Sequence, residues 1–196
     1  DKRHVCVSTN TSSGKTFCYA VPILEKFLRD NSSRALLLFP TKALAQDQLR
    51  HLSKFFAAVS DDLLVATFDG DLKDQKKRRE LMEGCSVFLS NPDMLHHTIL
   101  PNHHAWRDVL LSLRFVVLDE AHSYRGAFGS HVAMLIRRLR RLIDMYKRLN
   151  GIALDDDNYK LQFLSCSATM NNGEAFFKQL TGIDEIPKVV SESGAR

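Results

Sequence analysis

Short apolar runs alternate with longer amphipathic stretches along almost all of this chain, and that alternation dictates an α/β fold. The strand-length runs cover residues 5–7, 34–39, 64–68, 87–89, 115–118 and 161–164. Helical stretches cover residues 15–29, 42–56, 72–83, 130–150 and 173–180. Leu36-Leu37-Leu38-Phe39 and Phe115-Val116-Val117-Leu118 are apolar at every position, where a strand with one wet face would alternate. These strands are therefore expected in a parallel sheet with helices on both faces. Pro40 and Pro92 stop two of them, and Pro22 is expected to kink the first helix or shift its register. In open parallel sheets ligands gather at the carboxyl ends of the strands. Each polar motif of this sequence follows a strand end.

At 196 residues the chain has room for one domain with a sizeable core, and residues 1–196 are read as one. A hydrophobic share of 44% against 26% charged residues excludes a disordered chain. A formal net charge of +4 is compatible with a phosphate-bearing partner without requiring one. Cys6, Cys18, Cys85 and Cys166 show no CxxC spacing and sit in or beside apolar runs. They are expected as reduced core residues of an intracellular protein. No apolar run is long enough to cross a membrane. His96-His97 and His103-His104 have no cysteine at ligand spacing, so zinc is not expected there. Arg137, Arg138, Arg140, Arg141, Lys147 and Arg148 are expected on a solvated helix face, with a DNA or partner surface as the alternative. The opening on Asp1 and the polar Ser-Glu-Ser-Gly-Ala-Arg end are expected of a piece of something longer.

Two motifs carry chemistry. Ser8-Thr9-Asn10-Thr11-Ser12-Ser13-Gly14-Lys15-Thr16 joins the first strand to the first helix. Small residues let such a loop wrap a phosphate with backbone N–H groups, and the helix start adds its positive dipole end. Lys15 is placed to reach the β- and γ-phosphates of ATP, and the Thr16 hydroxyl to hold Mg²⁺. The strict pattern G-x-x-x-x-G-K-[ST] fails at its first position, where Thr9 stands. Alone, the segment also reads as a Ser/Thr-rich loop ahead of a capped helix. Further on, Val116-Val117-Leu118-Asp119-Glu120-Ala121-His122 is an apolar strand ending in two carboxylates. A charge pair at the end of a buried strand is costly unless it binds something. Asp119 is placed to hold Mg²⁺ through water, and Glu120 to orient and deprotonate an attacking water. Alone, this pair also reads as a strand leaving the core; the Gly-Lys-Thr loop upstream favours the nucleotide reading.

Gly14-Lys15-Thr16, Asp119-Glu120-Ala121-His122 and Ser167-Ala168-Thr169 resemble, in order and spacing, motifs I, II and III of the superfamily-two helicases, with a DEAH form of motif II. Phe39-Pro40-Thr41-Lys42-Ala43-Leu44-Ala45-Gln46-Asp47-Gln48 resembles motif Ia. Phe68-Asp69-Gly70-Asp71 and Ser90-Asn91-Pro92-Asp93-Met94-Leu95-His96 resemble the next two strand-contacting motifs. With Tyr124-Arg125-Gly126-Ala127-Phe128-Gly129 behind the DEAH box, nearly the whole chain is similar to the YprA/MrfA-like DExH helicases and the Hrq-type RecQ-related helicases.

The resemblance implies a RecA-like P-loop NTPase domain. It would be the ATP-binding first motor domain of an ATP-dependent 3′–5′ DNA helicase of DNA repair, using ATP and Mg²⁺. It implies single-stranded DNA and a second RecA-like domain of the same chain as partners, and a place inside the cell, in the nucleus if eukaryotic. Carried over residue by residue, Thr9, Asn10, Thr11, Ser12, Ser13, Gly14, Lys15 and Thr16 bind ATP. Lys15, Asp119 and Glu120 are catalytic, and Thr16 and Asp119 hold the metal. Pro40, Thr41, Lys42, Gly70, Asp71, Asn91, Pro92 and Asp93 lie along the nucleic-acid backbone. His122, Ser167, Ala168 and Thr169 couple the nucleotide site to that track. Arg125 and the Gly-Ala-Phe-Gly loop read either as a structural turn or as a contact with DNA or the second domain. Thr9 and Ser12 depart from the family's usual residues, but both are small. The arginine finger and the adenine-recognition segment are expected outside these residues. An RNA helicase, a duplex translocase or, from another class, a non-hydrolysing ATP switch or scaffold are the alternatives the residues leave open.

Overall fold

The computed structural model describes residues 3–9, 14–68, 75–168 and 172–191. Among them, strands β1 (Val5–Ser8), β2 (Arg34–Leu38), β3 (Val65–Thr67), β4 (Val87–Ser90), β5 (Leu113–Leu118), β6 (Gln162–Ser167) and β7 (Lys188–Val190) form one sheet. Its order is β3-β4-β2-β5-β6-β1-β7, and every pairing is parallel. Helices α1 (Lys15–Arg29), α2 (Lys42–Ala57), α3 (Gln75–Gly84), α4 (Pro92–Met94), α5 (Arg107–Ser112), α6 (Gly126–Leu149) and α7 (Gly173–Thr181) supply the connections. This is the parallel sheet expected from the alternation and the RecA-like arrangement that the resemblance implies. No helix among the described residues is long and apolar enough to cross a membrane.

The period-2 geometry of a strand explains the continuous apolar runs. All six residues of β5 are buried. Leu113, Val116 and Leu118 face one core with α5, α6 and α7. Phe115 and Val117 face the other, with Tyr19, Ile23 and Phe27 of α1 and Leu52 and Phe56 of α2. Burying a side chain of this size stabilises by about 1.5–3 kcal/mol, and β5 contributes to both faces at once.

α1 continues through Pro22. The long basic helix starts at Gly126, four residues before its expected start, and the described part of α3 starts at Gln75. The stretch 92–112 was unanticipated as helix. Pro92 sits at the first helical position, where its missing N–H costs nothing, so it starts α4 as well as ending β4. A π-helical turn, Leu95–Ile99, follows. β7, also unanticipated, is three residues of mixed character on an edge.

Two expectations need correction. Cys6, Cys85 and Cys166 are buried, but Cys18 is exposed, because α1 turns it away from the core that Tyr19 enters. The basic face of α6 is also not uniformly solvated. Arg137 donates to the Gln179 carbonyl at 2.9 Å and Arg140 to the Thr181 carbonyl at 3.1 Å, so both cap the carboxyl end of α7. Lys147 is buried, and desolvation lowers its pKa.

Gly129 lies where α6 passes closest to Tyr124. A β-carbon there would overlap the Tyr124 carbonyl, with the carbonyl carbon only 2.6 Å away. Gly126, at φ +59, has open space around it. Gly129→Ala is expected to cost about 3 kcal/mol, the upper end of overpacking losses, because the obstacle is backbone. Gly126→Ala should cost only about 1 kcal/mol, from its left-handed backbone. Urea midpoints of the two variants test this, and equal midpoints would contradict the overlap.

Candidate functional site

Parallel strands bring their carboxyl ends to one edge of the sheet, and the polar motifs meet there. Gly14 starts α1 at φ 73, a left-handed value that glycine adopts at little cost. Lys15 follows. Its ammonium donates to the carbonyls of Thr9 at 3.3 Å and Ser167 at 3.1 Å, across the ends of β1 and β6. The Thr9 N–H reaches the same Ser167 carbonyl at 3.3 Å. Thr16 donates to Gln48 Oε1 of α2 at 3.5 Å. Asn10, Thr11, Ser12 and Ser13 lie outside the described residues.

The acidic pair leaves β5 beside this lysine-bearing end. Asp119 is 7% exposed. Its Oδ1 accepts the Glu120 N–H at 2.8 Å and its Oδ2 accepts the Tyr19 hydroxyl at 2.9 Å. Burial raises the Asp119 pKa, with those two hydrogen bonds pulling the other way. Burial, then the Asp119 charge, pushes the Tyr19 hydroxyl far above the tyrosine range, so it stays a donor. Glu120 sits at φ 47, ψ 42, a left-handed conformation that a non-glycine residue adopts at a cost of about 1–2 kcal/mol. Such strain clusters at working sites.

His122 ties the pair to β6. Its Nδ1 lies 3.3 Å from Glu120 Oε2, 3.4 Å from Ser167 Oγ and 3.4 Å from the Ala168 N–H. One nitrogen cannot serve all three. With a proton it donates to Glu120 or Ser167; without one it accepts from Ala168. Thr169 lies outside the described residues.

The expected track residues follow β2 and β4, which are neighbours in the sheet. Thr41 caps α2 by accepting the Leu44 N–H at 3.3 Å, with Pro40 and Lys42 on either side. Asn91 caps α4 by accepting the Met94 N–H at 2.9 Å, with Pro92 buried and Asp93 exposed behind it. Gly70 and Asp71 lie outside the described residues. Arg125 is exposed and lines a groove of about 1050 Å³ between the start of α6 and α7, with Ser130, Arg137 and Phe176.

The edge thus groups Thr9, Lys15, Asp119, Glu120, His122, Ser167 and Ala168 on β1, β6 and β5, with the track residues alongside on β2 and β4. Sequence reasoning missed Tyr19, and it gave no role to Gln48 or Tyr124, which stand inside motif Ia and the segment behind the acidic pair. Tyr19 had a signal, because it stands four residues after Lys15 and so on the same helix face. Tyr124, whose hydroxyl donates to the Leu38 carbonyl at 3.1 Å, had none beyond its place after the acidic pair.

Comparison with known proteins places this geometry. The DEAD/DEAH box helicase family matches residues 1–176. The chain is 42% identical over 185 residues to the ATP-dependent helicase hrq1 of Schizosaccharomyces pombe, which covers 93% of this chain and 16% of that protein. It is 40% identical over 187 residues to the ATP-dependent helicase YprA of Bacillus subtilis, covering 95% of this chain and 23% of that one. The crystal structure of the helicase MrfA bound to DNA and AMPPNP superposes with a TM-score of 0.84 at 38% identity, over 98% of this chain and 25% of MrfA. The chain therefore spans about a quarter or less of the length of these relatives.

The raised pKa of Asp119 has a consequence for stability. A carboxyl group whose folded pKa lies above its unfolded value stabilises fully at low pH, and that contribution is lost as pH rises through the folded pKa. Asp119→Asn removes the buried charge and keeps the shape. It is expected to raise the melting temperature by a few degrees at neutral pH, with the gain fading toward the ordinary aspartate pKa of about 4. Melting curves from pH 4 to 8 check it; a variant less stable at neutral pH would refute the desolvation argument.

Proposed function

Because the chain belongs to the DEAD/DEAH box helicase family, we propose that it is the ATP-binding first motor domain of an ATP-dependent 3′–5′ DNA helicase that serves DNA repair inside the cell. One observation carries the reading: Lys15 of α1 reaches the Ser167 carbonyl at the end of β6, Asp119 and Glu120 leave the adjoining strand β5, and His122 bridges Glu120 and the end of β6. The similar helicase MrfA has been crystallised with DNA and a nucleotide analogue together.

In this mechanism Lys15 turns from the Thr9 and Ser167 carbonyls to the β- and γ-phosphates of ATP. The backbone of residues 9–16 cradles the phosphates. Thr16 and Asp119 offer hard oxygen donors, and Asp119 is a buried carboxylate that a cation would compensate, so the site fits Mg²⁺. When bound, the ion neutralises charge on the transferring phosphoryl group. Glu120 aligns the attacking water and accepts its proton. His122 Nδ1 senses the outcome, since it serves either Glu120 or the Ser167–Ala168 segment. The arginine that completes the charge at the γ-phosphate comes from a second RecA-like domain. Single-stranded DNA lies along Pro40, Thr41 and Lys42 and along Asn91, Pro92 and Asp93, and Gly70 and Asp71 are assigned to the same track. The contacts are to phosphate and sugar, since hydroxyls and helix-start N–H groups grip any sequence.

The test is ATP hydrolysis by the full-length protein with single-stranded DNA, duplex DNA, single-stranded RNA or no polymer. Single-stranded DNA should stimulate most, and Glu120→Gln should lower kcat by about 10²–10⁴-fold, the scale of general-base loss. Stimulation by RNA alone would keep the motor and replace the substrate. Indifference to every polymer, with Glu120→Gln unchanged, would sink the helicase reading. The 196 residues alone should bind nucleotide weakly and turn over little; robust DNA-stimulated turnover by them would contradict the role given to the second domain.

A further inference from the structure

Tyr19 belongs to none of the expected motifs, yet it touches the centre of the site. It is fully buried in α1, packed among the residues between α1, α2 and the sheet. Its hydroxyl donates to Asp119 Oδ2 at 2.9 Å across 100 residues of sequence. Thr16 stands one helical turn earlier on the same face of α1. Tyr19 therefore ties Asp119 to the helix that carries Lys15 and Thr16. Asp119 Oδ1 is already committed to the Glu120 N–H at 2.8 Å. The two hydrogen bonds fix the plane of the carboxylate and leave each oxygen with a lone pair to offer. A phenylalanine would fill the same volume and leave the carboxylate held only by the Glu120 N–H, with Oδ2 unanchored.

We infer that Tyr19 is a positioning residue: its hydroxyl indexes the Asp119 carboxylate to the phosphate-binding helix and presets it for the nucleotide-bound metal. The inference rests on the reading of Asp119 as a metal-holding carboxylate. Partners that orient a metal ligand from behind typically contribute 10–100-fold to metal affinity.

The experiment uses full-length protein, wild type and Tyr19→Phe, with Asp119→Asn as reference. Mn²⁺ stands in for Mg²⁺, because its free form is counted directly by electron paramagnetic resonance. Mn²⁺ is titrated in the presence of AMPPNP, so that occupancy is read without turnover. Nucleotide binding in EDTA and the melting temperature are measured alongside. Tyr19→Phe should need about tenfold more Mn²⁺ for half-occupancy, with EDTA-state binding and melting temperature close to wild type. An unchanged Mn²⁺ curve overturns the inference. So does a parallel loss of melting temperature and EDTA-state binding, which would make the hydroxyl a purely structural contact. If the wild type takes up no Mn²⁺ with nucleotide, or Asp119→Asn takes up as much as wild type, the metal reading of Asp119 falls first and the role of Tyr19 falls with it.

Discussion

The carbonyl of Leu38 accepts two hydrogen bonds, from the Asp119 N–H at 3.0 Å and from the Tyr124 hydroxyl at 3.1 Å. Leu38 ends β2 and Asp119 follows β5, so these bonds close the seam between the two halves of the sheet edge. On one side lie β5, β6 and β1 with the lysine and the carboxylates; on the other lie β2, β4 and β3 with the helix starts. A parallel sheet with this strand order has one seam between these groups, and the acidic pair begins on it. Tyr124 locks it from the far side of the turn, and Gly129 is the residue that lets α6 come close enough for Tyr124 to stay there.

The site is held in tension by competing demands on few atoms. Asp119 is buried as a charge-bearing group, Glu120 is bent into a left-handed turn, and His122 offers one nitrogen to three neighbours. None of these choices maximises the stability of the fold by itself. Each is a local cost that the surrounding packing has to carry, and strain of this kind gathers at working sites. Lys15 likewise divides its ammonium between two main-chain carbonyls, neither of them a charged partner.

Much of this was legible in the sequence. The apolar runs at residues 34–39 and 115–118 gave two-sided burial, and hence the parallel sheet, because a strand covered on both faces cannot alternate. The carboxyl-end rule then placed Lys15, Asp119 and Ser167 on a common edge before any coordinates. What stayed hidden depended on contacts distant in sequence. The Tyr19 hydroxyl meets Asp119 only because α1 packs behind β5, and nothing local to either residue announces the other. Cys18, Arg137, Arg140 and Lys147 were misplaced for a similar reason, whereas Arg138, Arg141 and Arg148 are exposed as expected. Helical spacing tells which residues share a face, but not which face finds a neighbour.

Those arginines bear on ionic strength. Arg137 and Arg140 spend their donors on the last carbonyls of α7, where the negative end of a helix dipole already balances their charge. A polyanion approaching this surface would displace few counterions through them. The salt response of this face toward any polyanion should therefore be shallower than the number of basic residues along α6 implies, because part of that charge is already offset inside the fold.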